Sequence, residues 1–380
     1  MNHLYFRLIF LSVLTILMTL SFSCKKQTTK WQGTIEEING ITVVKNPSES
    51  WYGEEEIQLE EELVIGKGKE DAEPFLLITY LAVDDEESIY VSDTRASQIK
   101  VFDKNGNPIR TIGRKGEGPG ELMNPTNIQI ISREHIVVTA QQFLHFFSLQ
   151  GEFLRRVNTG SVGFVGPVFN TRGEIIAGQM IRGDENSRVL RIFDSELNAM
   201  RTLVTRPMVT RPPKINYWEM RWSYNPLVWG VIKEDHIVWG DRANYEIHFI
   251  SSEGRHLKTI TKDYKAREMT DEDEKKLLDE WFDGNPPPPG YTFEFPKYFP
   301  AFHNFVSDEE GNLFVQTYEE MEDGMGTYFD FFDSDGKFLA KLPLKLRNYA
   351  LKKGKLYTIE EDENAYYIVK RYKFPKMLKD

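Results

Sequence analysis

Short runs of β-branched and aromatic residues, whose side chains would alternate between the two faces of a sheet, occur along the chain, first over residues 89–92 and Gln98–Phe102. A polar turn at residues 103–106 separates the second run from a third, Pro108–Ile112, and residues 75–83 form a matching run upstream. Alternation of this kind, interrupted by tight polar turns, is typical of antiparallel strands joined by hairpins. The sequence therefore predicts a four-stranded sheet of the size of one propeller blade.

The pattern around the second turn recurs along the chain. An apolar residue and a polar residue are followed, after two positions, by a turn residue that is glycine in most copies, and a further apolar residue follows three positions later. The first apolar positions of the copies are Phe102, Phe147, Phe193, Ile250 and Phe332. Their intervals of 45, 46, 57 and 82 residues predict five blades, with insertions in the longer steps.

A sixth blade is half visible near the C-terminus. Residues 355–359 and 366–372 read as its middle strands, and the chain after Phe374 leaves no room for an outer strand. An open blade edge would expose a row of unpaired backbone groups. We therefore expect residues 57–65 to supply the missing strand and to close the ring. Residues 41–45 are a second candidate for the same sheet.

Two segments interrupt the repeats. Residues 206–226 are rich in proline, arginine and aromatic residues. Residues 261–300 contain Thr270 followed by four acidic residues, which predicts an N-cap and the first turn of a helix. The apolar positions that follow share one helical face; they are Leu277, Leu278, Trp281 and Phe282. We expect this insert to form a lid packed on one face of the disc.

The stretch VSDTRASQIKVFDKNGNPIRTIGRKGEGPGELMNPTNI resembles an NHL repeat. Asp93 and Asp241, each six residues before a third-strand isoleucine, match the turn aspartate of that repeat. From Cys24 onward the chain resembles the lipid-anchored six-bladed β-propeller proteins of Gram-negative bacteria. The resemblance implies an all-β, NHL- or TolB-like propeller over residues 41–380, with a short helical insert at 261–300. Binding scaffolds, hydrolases and lyases share this fold, so the resemblance implies architecture and not activity.

The N-terminus has the features of a targeting segment. Arg7 precedes an apolar run of 13 residues at 8–20, which suits a signal peptide and is short for a membrane span. The residues up to Cys24 resemble a bacterial lipobox, and Cys24 is the only cysteine. We predict a signal peptide at 1–23, lipidation of Cys24 and a tether at 24–40; an ordinary cleaved signal peptide is the alternative.

The net charge of the chain and the charges next to Cys24 limit the partners and the location that can be expected. The chain carries 47 Lys and Arg against 58 Asp and Glu, a formal net charge of −11, which argues against nucleic acid as a partner. Lys25 and Lys26 follow Cys24, where some surface-exposed lipoproteins carry an acidic export tag. We therefore expect a cell-envelope protein, tethered to the lipid membrane on the periplasmic side and monomeric.

Two motifs that suggest ligand chemistry are better explained by the repeat. Residues 116–120, GEGPG, lack the following helix and the third glycine of a phosphate-binding loop, which predicts a turn between blades. Residues 333–336, DSDG, suggest calcium, but the same position in other blades holds the recurring hairpin turn.

Histidine positions also follow the repeat, with one exception. His135 and His236 precede second strands, and His145 and His248 lie in third strands, so a structural role is expected. His303, together with Asn304, falls at the start of an innermost strand, where the central channel opens. A lone histidine without a visible triad or ligand set is more often structural than catalytic.

Two functional hypotheses remain. The first is a non-enzymatic scaffold without a cofactor that binds a protein, peptide or glycan at the channel mouth. Its candidate residues are Arg221, Trp218, Trp222, Tyr224, Asn225, His303 and Asn304. The alternative is a lactonase- or lyase-like enzyme with a divalent metal in the channel, held by groups such as Asn127, Asn225 and Asn304.

Overall fold

The computed structural model describes residues 30–66, 74–160, 162–182, 186–207, 227–282, 284–287, 293, 295–324, 326–346 and 348–375. Within these ranges the chain forms 26 β-strands in six sheets and one α-helix. No helix among them is long and apolar enough to cross a membrane.

Three strands precede the first complete blade, and blades 1 to 3 follow in chain order. The N-terminal strands are β1 (Thr34–Ile38), β2 (Ile41–Asn46) and β3 (Glu60–Ile65). Blade 1 contains β4 (Ile78–Val83), β5 (Ile89–Asp93), β6 (Gln98–Phe102) and β7 (Pro108–Ile112). Blade 2 contains β8 (Pro125–Ile130), β9 (His135–Ala140), β10 (Phe143–Ser148) and β11 (Phe153–Asn158). Blade 3 contains β12 (Phe164–Phe169), β13 (Ile175–Ile181), β14 (Ser187–Phe193) and β15 (Ala199–Pro207).

Blades 4 to 6 complete the ring, with the helix between blades 4 and 5. Blade 4 contains β16 (Leu227–Val231), β17 (Ile237–Asp241), β18 (Glu246–Ile250) and β19 (His256–Lys262), and the helix is α1 (Asp271–Trp281). Blade 5 contains β20 (Asn304–Ser307), β21 (Leu313–Glu320), β22 (Thr327–Phe332) and β23 (Phe338–Leu344). Blade 6 contains β24 (Asn348–Lys352), β25 (Lys355–Glu361) and β26 (Tyr367–Lys373). First strands of neighbouring blades contact one another, as β4 contacts β8 and β24, so they surround the centre.

The apolar core lies in the gaps between blades. Six clusters of buried side chains among the described residues each join two neighbouring blades. In one of them, Ile89 of blade 1 packs with Tyr357 and Val369 of blade 6. Because both faces of a blade are covered, all five residues of β5 are buried. This explains why the middle strands read as nearly continuous apolar runs.

The recurring turn has the same geometry in every blade where the sequence pattern found it. Gly106 and Gly336 adopt positive φ and donate their N–H groups to Asp103 and Asp333. In blade 3, Leu197 occupies this position at φ 68° and donates to the carbonyl of Asp194. The structure therefore confirms that residues 333–336 form a hairpin turn, and it shows the turn surviving the loss of glycine.

The predicted turn aspartates tie each blade to its connections. Asp93 is fully buried, and its carboxylate accepts the N–H groups of Leu76 and Leu77 at 3.1 Å. Asp241 accepts the N–H of Ala243 at 3.0 Å. Short side chains that hydrogen-bond the backbone hold such turns without a glycine.

The ring closes as the sequence predicted. Strand β3 pairs antiparallel with β26, with Ile65 opposite Val369 and Leu63 opposite Arg371. The guanidinium of Arg371 also donates to Glu62 at 3.0 Å. The N-terminal segment therefore supplies the outer strand of blade 6.

The predicted addition of residues 41–45 to this last blade is wrong. Strand β2 lies parallel to β19, with Val44 opposite Ile260, and it extends blade 4 into a six-stranded sheet with β1 at its edge. Since β1 spans residues 34–38, regular structure begins inside the stretch predicted as a tether. Blade 4 already has four strands of its own, so β2 covers the outer edge of a complete blade, and local pattern does not show which blade edge a further strand will cover.

Between these strands the chain also follows blade 5. Trp51 donates its N–H to Phe338 at 3.1 Å, and Gly53 accepts the N–H of Lys341 at 3.0 Å. We call residues 41–65 the strap, because they run along the outer edges of blades 4, 5 and 6 in turn. Three blade edges are covered by one continuous segment.

The helix in the insert is confirmed. Thr270 caps α1 through a reciprocal capping box with Asp273, at 3.2 Å and 2.9 Å. Leu277 and Trp281 pack with Phe299, so the predicted apolar face of the helix is the face that meets the rest of the insert.

Candidate functional site

Most of the predicted site residues lie outside the described residues. These are Cys24, Trp218, Arg221, Trp222, Tyr224 and Asn225. His303 and Asn304 are described, and Asn304 is the first residue of the innermost strand β20, where the sequence placed it.

His303 lies under the insert. Its side chain is exposed, its backbone N–H donates to Gln316 at 2.7 Å, and its ring centre is 5.5 Å from that of Tyr318. The side chain lines a pocket of about 180 Å³ together with Leu277 of α1 and Arg267. The insert therefore covers the start of β20.

The two described metal candidates lie on the innermost strands of opposite blades. Asn127 is on β8 of blade 2 and Asn304 on β20 of blade 5, and these blades face each other across the six-bladed ring. The side-chain oxygen of Asn127 is buried without a hydrogen-bond partner in the described part of the chain. No three His, Cys, Asp or Glu side chains within that part are grouped so that they could hold a metal ion.

A larger cavity lies beside the strap. Its volume is about 1020 Å³, and it is bounded by strap residues 48–54, the end of β19, the insert and blade 5. We call it the strap cleft. Six aromatic residues line it: Trp51, Tyr52, Tyr245, Tyr264, Tyr318 and Phe338. The rings of Trp51 and Tyr52 are stacked at 5.2 Å, and Tyr264 is 37% exposed.

An ion pair lies beneath the strap cleft. The ammonium of Lys262, which lines the cleft, donates to Oδ2 of Asp330 at 2.6 Å, and the hydroxyl of Tyr245 donates to the same oxygen at 2.6 Å. Asp330 is fully buried. The burial of Tyr245, and after it the negative charge of Asp330, raises the pKa of the Tyr245 hydroxyl well above its ordinary value. Lys262 also lies 4.2 Å from the ring centre of Phe338. Its charge is therefore compensated from below.

The wall between the strap cleft and the His303 pocket is a stack of side chains. The guanidinium of Arg267 lies 4.2 Å over the ring of Phe299, which stacks on Tyr318 at 5.3 Å. Arg267 also donates to Asp273 of α1 at 2.6 Å. Because Arg267 and Tyr318 line both cavities, the two form neighbouring compartments on one side of the insert.

Three of the four cationic side chains that line the strap cleft are engaged in ion pairs. Lys262 pairs with Asp330, Arg267 with Asp273, and Lys341 with Glu319. The hydroxyl of Ser50, on the strap side of the cleft, donates to the carbonyl of Gly53 at 2.7 Å. The arrangement can hold a ligand by aromatic contact and hydrogen bonds, and it presents no activated nucleophile among these groups.

Sequence reasoning missed the strap cleft. Its walls come from three segments of the chain, near Trp51, Tyr264 and Tyr318. The first two are more than 200 residues apart, and the last two are about 50 residues apart. The adjacent pair Trp51 and Tyr52, between two strand-like runs, was the available signal. Nothing in the local pattern shows that these two residues border the same cavity as Tyr264.

Comparison with known proteins supports the architecture. Residues 75–162 match the model of a family described as a six-bladed β-propeller, DUF5128. No curated protein is a detectable relative of the sequence.

The similar solved structures have very different sequences. A protein described as exported, from Bacteroides fragilis, superposes with a TM-score of 0.55 at 11% identity, covering 88% of this chain and 100% of its own. A member of the DUF4221 family from Bacteroides vulgatus gives a TM-score of 0.48 at 12% identity, covering 83% and 98%. A calcium-binding regucalcin from Agrobacterium tumefaciens gives a TM-score of 0.43 at 10% identity, covering 85% of this chain and 97% of its own.

At such identities the likeness concerns the fold alone. The matched segment 75–162 spans blades 1 and 2, and the same four-strand unit recurs around the ring. The chain is a six-bladed β-propeller whose ring is closed by its own N-terminal strand.

Proposed function

We propose that this protein is a membrane-anchored binding propeller of the cell envelope, and that it holds its ligand in the strap cleft without chemical turnover. The observation that carries the proposal is a cavity of about 1020 Å³ that combines aromatic walls with four cationic side chains, three of which are already paired inside the protein. This volume reaches the upper end of the about 300–1,000 Å³ that ligand pockets occupy.

Paired charges favour binding over catalysis. A general acid, base or nucleophile needs a group whose proton or lone pair is available to the substrate. In the strap cleft the ammonium of Lys262 is held by Asp330, and the guanidinium of Arg267 is held by Asp273. Such groups still donate hydrogen bonds to a ligand, because an ammonium has three donors and a guanidinium five.

The membrane anchor is supported by the sequence before Trp31. Trp31 is fixed by its indole N–H, which donates to Asn46 at 3.1 Å. Cys24 precedes it by seven residues, which span at most about 25 Å when fully extended. A lipid on Cys24 would therefore hold the edge of blade 4 close to the bilayer surface.

The proposal is tested by titrating the purified protein with neutral oligosaccharides and with ten-residue peptides while tryptophan fluorescence is recorded. We expect saturable binding of one class. A Ser48→Trp variant, with a bulky ring at the exposed edge of the cleft, should weaken that binding at least tenfold. Ser195→Trp, at an exposed turn of blade 3, is the matched control and should bind as the unchanged protein does.

Two results would contradict the proposal. One is that neither the oligosaccharides nor the peptides bind. The other is a stoichiometric divalent metal in elemental analysis together with turnover of a lactone, which would favour the enzymatic alternative.

A further inference from the structure

We infer that the strap cleft takes a neutral oligosaccharide, with sugar rings packed on Tyr264 and on the aromatic side chains of the strap. This inference rests on the proposed function and adds the chemical class of the ligand. Three features of the cleft support it: the balance of its charged side chains, the exposure of its aromatic rings, and the hydrogen bonds that its backbone groups already make within the protein.

The charge balance favours an uncharged ligand. Four carboxylates and four cationic side chains line the strap cleft. Three of the four cationic side chains, Lys262, Arg267 and Lys341, already bind carboxylates, so at these three an anionic ligand would compete with internal partners. A cationic ligand would meet the ammonium of Lys262 near the floor. Hydroxyl groups face no such penalty, because they accept from the remaining N–H donors and donate to carboxylate oxygens.

The aromatic rings suit sugars. One face of a sugar ring is a flat array of C–H bonds, while its hydroxyls point outward along the edge. Tyr264 is 37% exposed and is supported from below by Tyr245, at a ring distance of 5.9 Å. The parallel rings of Trp51 and Tyr52 form part of the opposite wall. A ligand with apolar faces and polar edges can use both kinds of surface at once.

The backbone of the cleft walls disfavours an extended peptide. Peptides that bind by strand addition need free N–H and C=O groups along an edge. The N–H groups of Trp51 and Tyr52 donate to blade 5, and the carbonyl of Gly53 accepts from it. On the other wall, Asp263 donates its N–H to Asn46 at 2.9 Å. The walls therefore offer side chains and few free backbone partners.

The test uses calorimetric titration of the full-length protein in detergent with malto-, cello-, xylo-, manno- and N-acetylchito-oligosaccharides of two to six units. A set of ten-residue peptides of neutral, acidic and basic composition is titrated in parallel. We expect at least one oligosaccharide series to bind, with affinity that increases with length until the cleft is filled.

Variants at one ring locate the site. Tyr264→Ala should weaken oligosaccharide binding at least tenfold, and Tyr264→Phe should retain it within about twofold, since the ring remains. Tyr366→Ala removes a tyrosine that is 56% exposed on blade 6, outside the strap cleft, and should leave binding unchanged. A melting curve for each variant confirms that it is folded.

The outcomes are distinguishable. Equal oligosaccharide binding by Tyr264→Ala would overturn the inference, because the sugars would then bind elsewhere. Binding of peptides alone, weakened by Tyr264→Ala, would show the ligand class to be wrong while the proposed binding function stands. Binding of neither class would overturn both.

Discussion

The side-chain oxygen of Asn46 accepts the backbone N–H of Phe338 at 2.7 Å, although 292 residues separate the two. The amide nitrogen of Asn46 donates to Gly336 at 2.9 Å and to Thr261 at 3.1 Å. Asn46 is only 3% exposed, so these bonds are shielded from water. One residue of the strap thus joins the outer strand of blade 4 to the outer hairpin of blade 5.

Removal of the Asn46 amide should therefore be costly. Asn46→Ala leaves the buried N–H of Phe338 and the buried carbonyl of Gly336 without these partners, and each such buried group costs about 1–3 kcal/mol. It also removes the part-buried bonds to Thr261 and Trp31. We expect a loss of about 3–5 kcal/mol in the free energy of unfolding, measured by urea denaturation. Asn364→Ala, at an exposed turn, is the control and should change stability by less than about 0.5 kcal/mol. Equal stability of the two variants would mean that the strap is not held by these bonds.

The strap should be indispensable as a whole. Deletion of residues 31–65 opens the outer edges of blades 4, 5 and 6 together, a loss large against the about 5–15 kcal/mol that stabilises a domain. We expect an insoluble product. Deletion of β1 alone should leave a soluble protein with a cooperative melt, because all five of its residues are exposed and β2 stays paired with β19. A soluble monomer lacking the whole strap would contradict the closure described above.

The ion pair beneath the strap cleft gives a third prediction. The side chains of Lys262 and Asp330 are 10% and 1% exposed. Lys262→Met leaves the buried carboxylate uncompensated, and removal of one partner of such a pair costs about 3–5 kcal/mol. The double variant Lys262→Met with Asp330→Leu should recover part of this loss, since the buried charge is gone but the hydroxyl of Tyr245 loses its acceptor. Urea denaturation of both variants measures the difference, and an equally unstable double variant would contradict the account.

Stability should fall in mild acid because of two histidines, His145, which is buried, and His248, which is partly buried. Burial, with a smaller contribution from Arg156, lowers the pKa of His145 to about 4, and burial with the neighbouring His256 lowers the pKa of His248 to about 4. The unfolded chain takes up these protons near pH 6.5 and the folded chain only near pH 4. The stability from the neutral rings is therefore complete above pH 6.5 and is lost as the pH falls toward 4.

This dependence can be measured between pH 7 and pH 5, where each histidine should contribute a loss of about 2 kcal/mol. The variant His145→Phe with His248→Phe should flatten the profile in this range. A profile with an unchanged slope would mean that other groups are responsible.

The anchor gives a fifth prediction. Cys24→Ser should move the protein from the membrane fraction to the soluble fraction, because acyl chains dominate such attachment and a short polar tether adds little. Fractionation followed by immunoblotting measures the change, with Ser23→Ala as the matched control. A Cys24→Ser protein that stays in the membrane fraction would contradict lipidation at this residue.

The sequence by itself determined the repeating part of this protein. Strand alternation and turn chemistry are local, so the four-strand unit, the hairpin turns and the Thr270 cap of α1 were readable from neighbouring residues. Ring closure by β3 was also predictable, since the last blade lacked an outer strand and residues 57–65 lacked a partner.

Tertiary structure decided which open edge each remaining segment would cover. Residues 41–45 joined blade 4 and not blade 6, and Trp51 followed blade 5, because the partner of an edge strand depends on which edges are exposed in space and at what distance. The strap cleft exists for the same reason. Its aromatic rings come from segments far apart in sequence, and only the closed ring with the strap around it brings Trp51 and Tyr264 to one cavity.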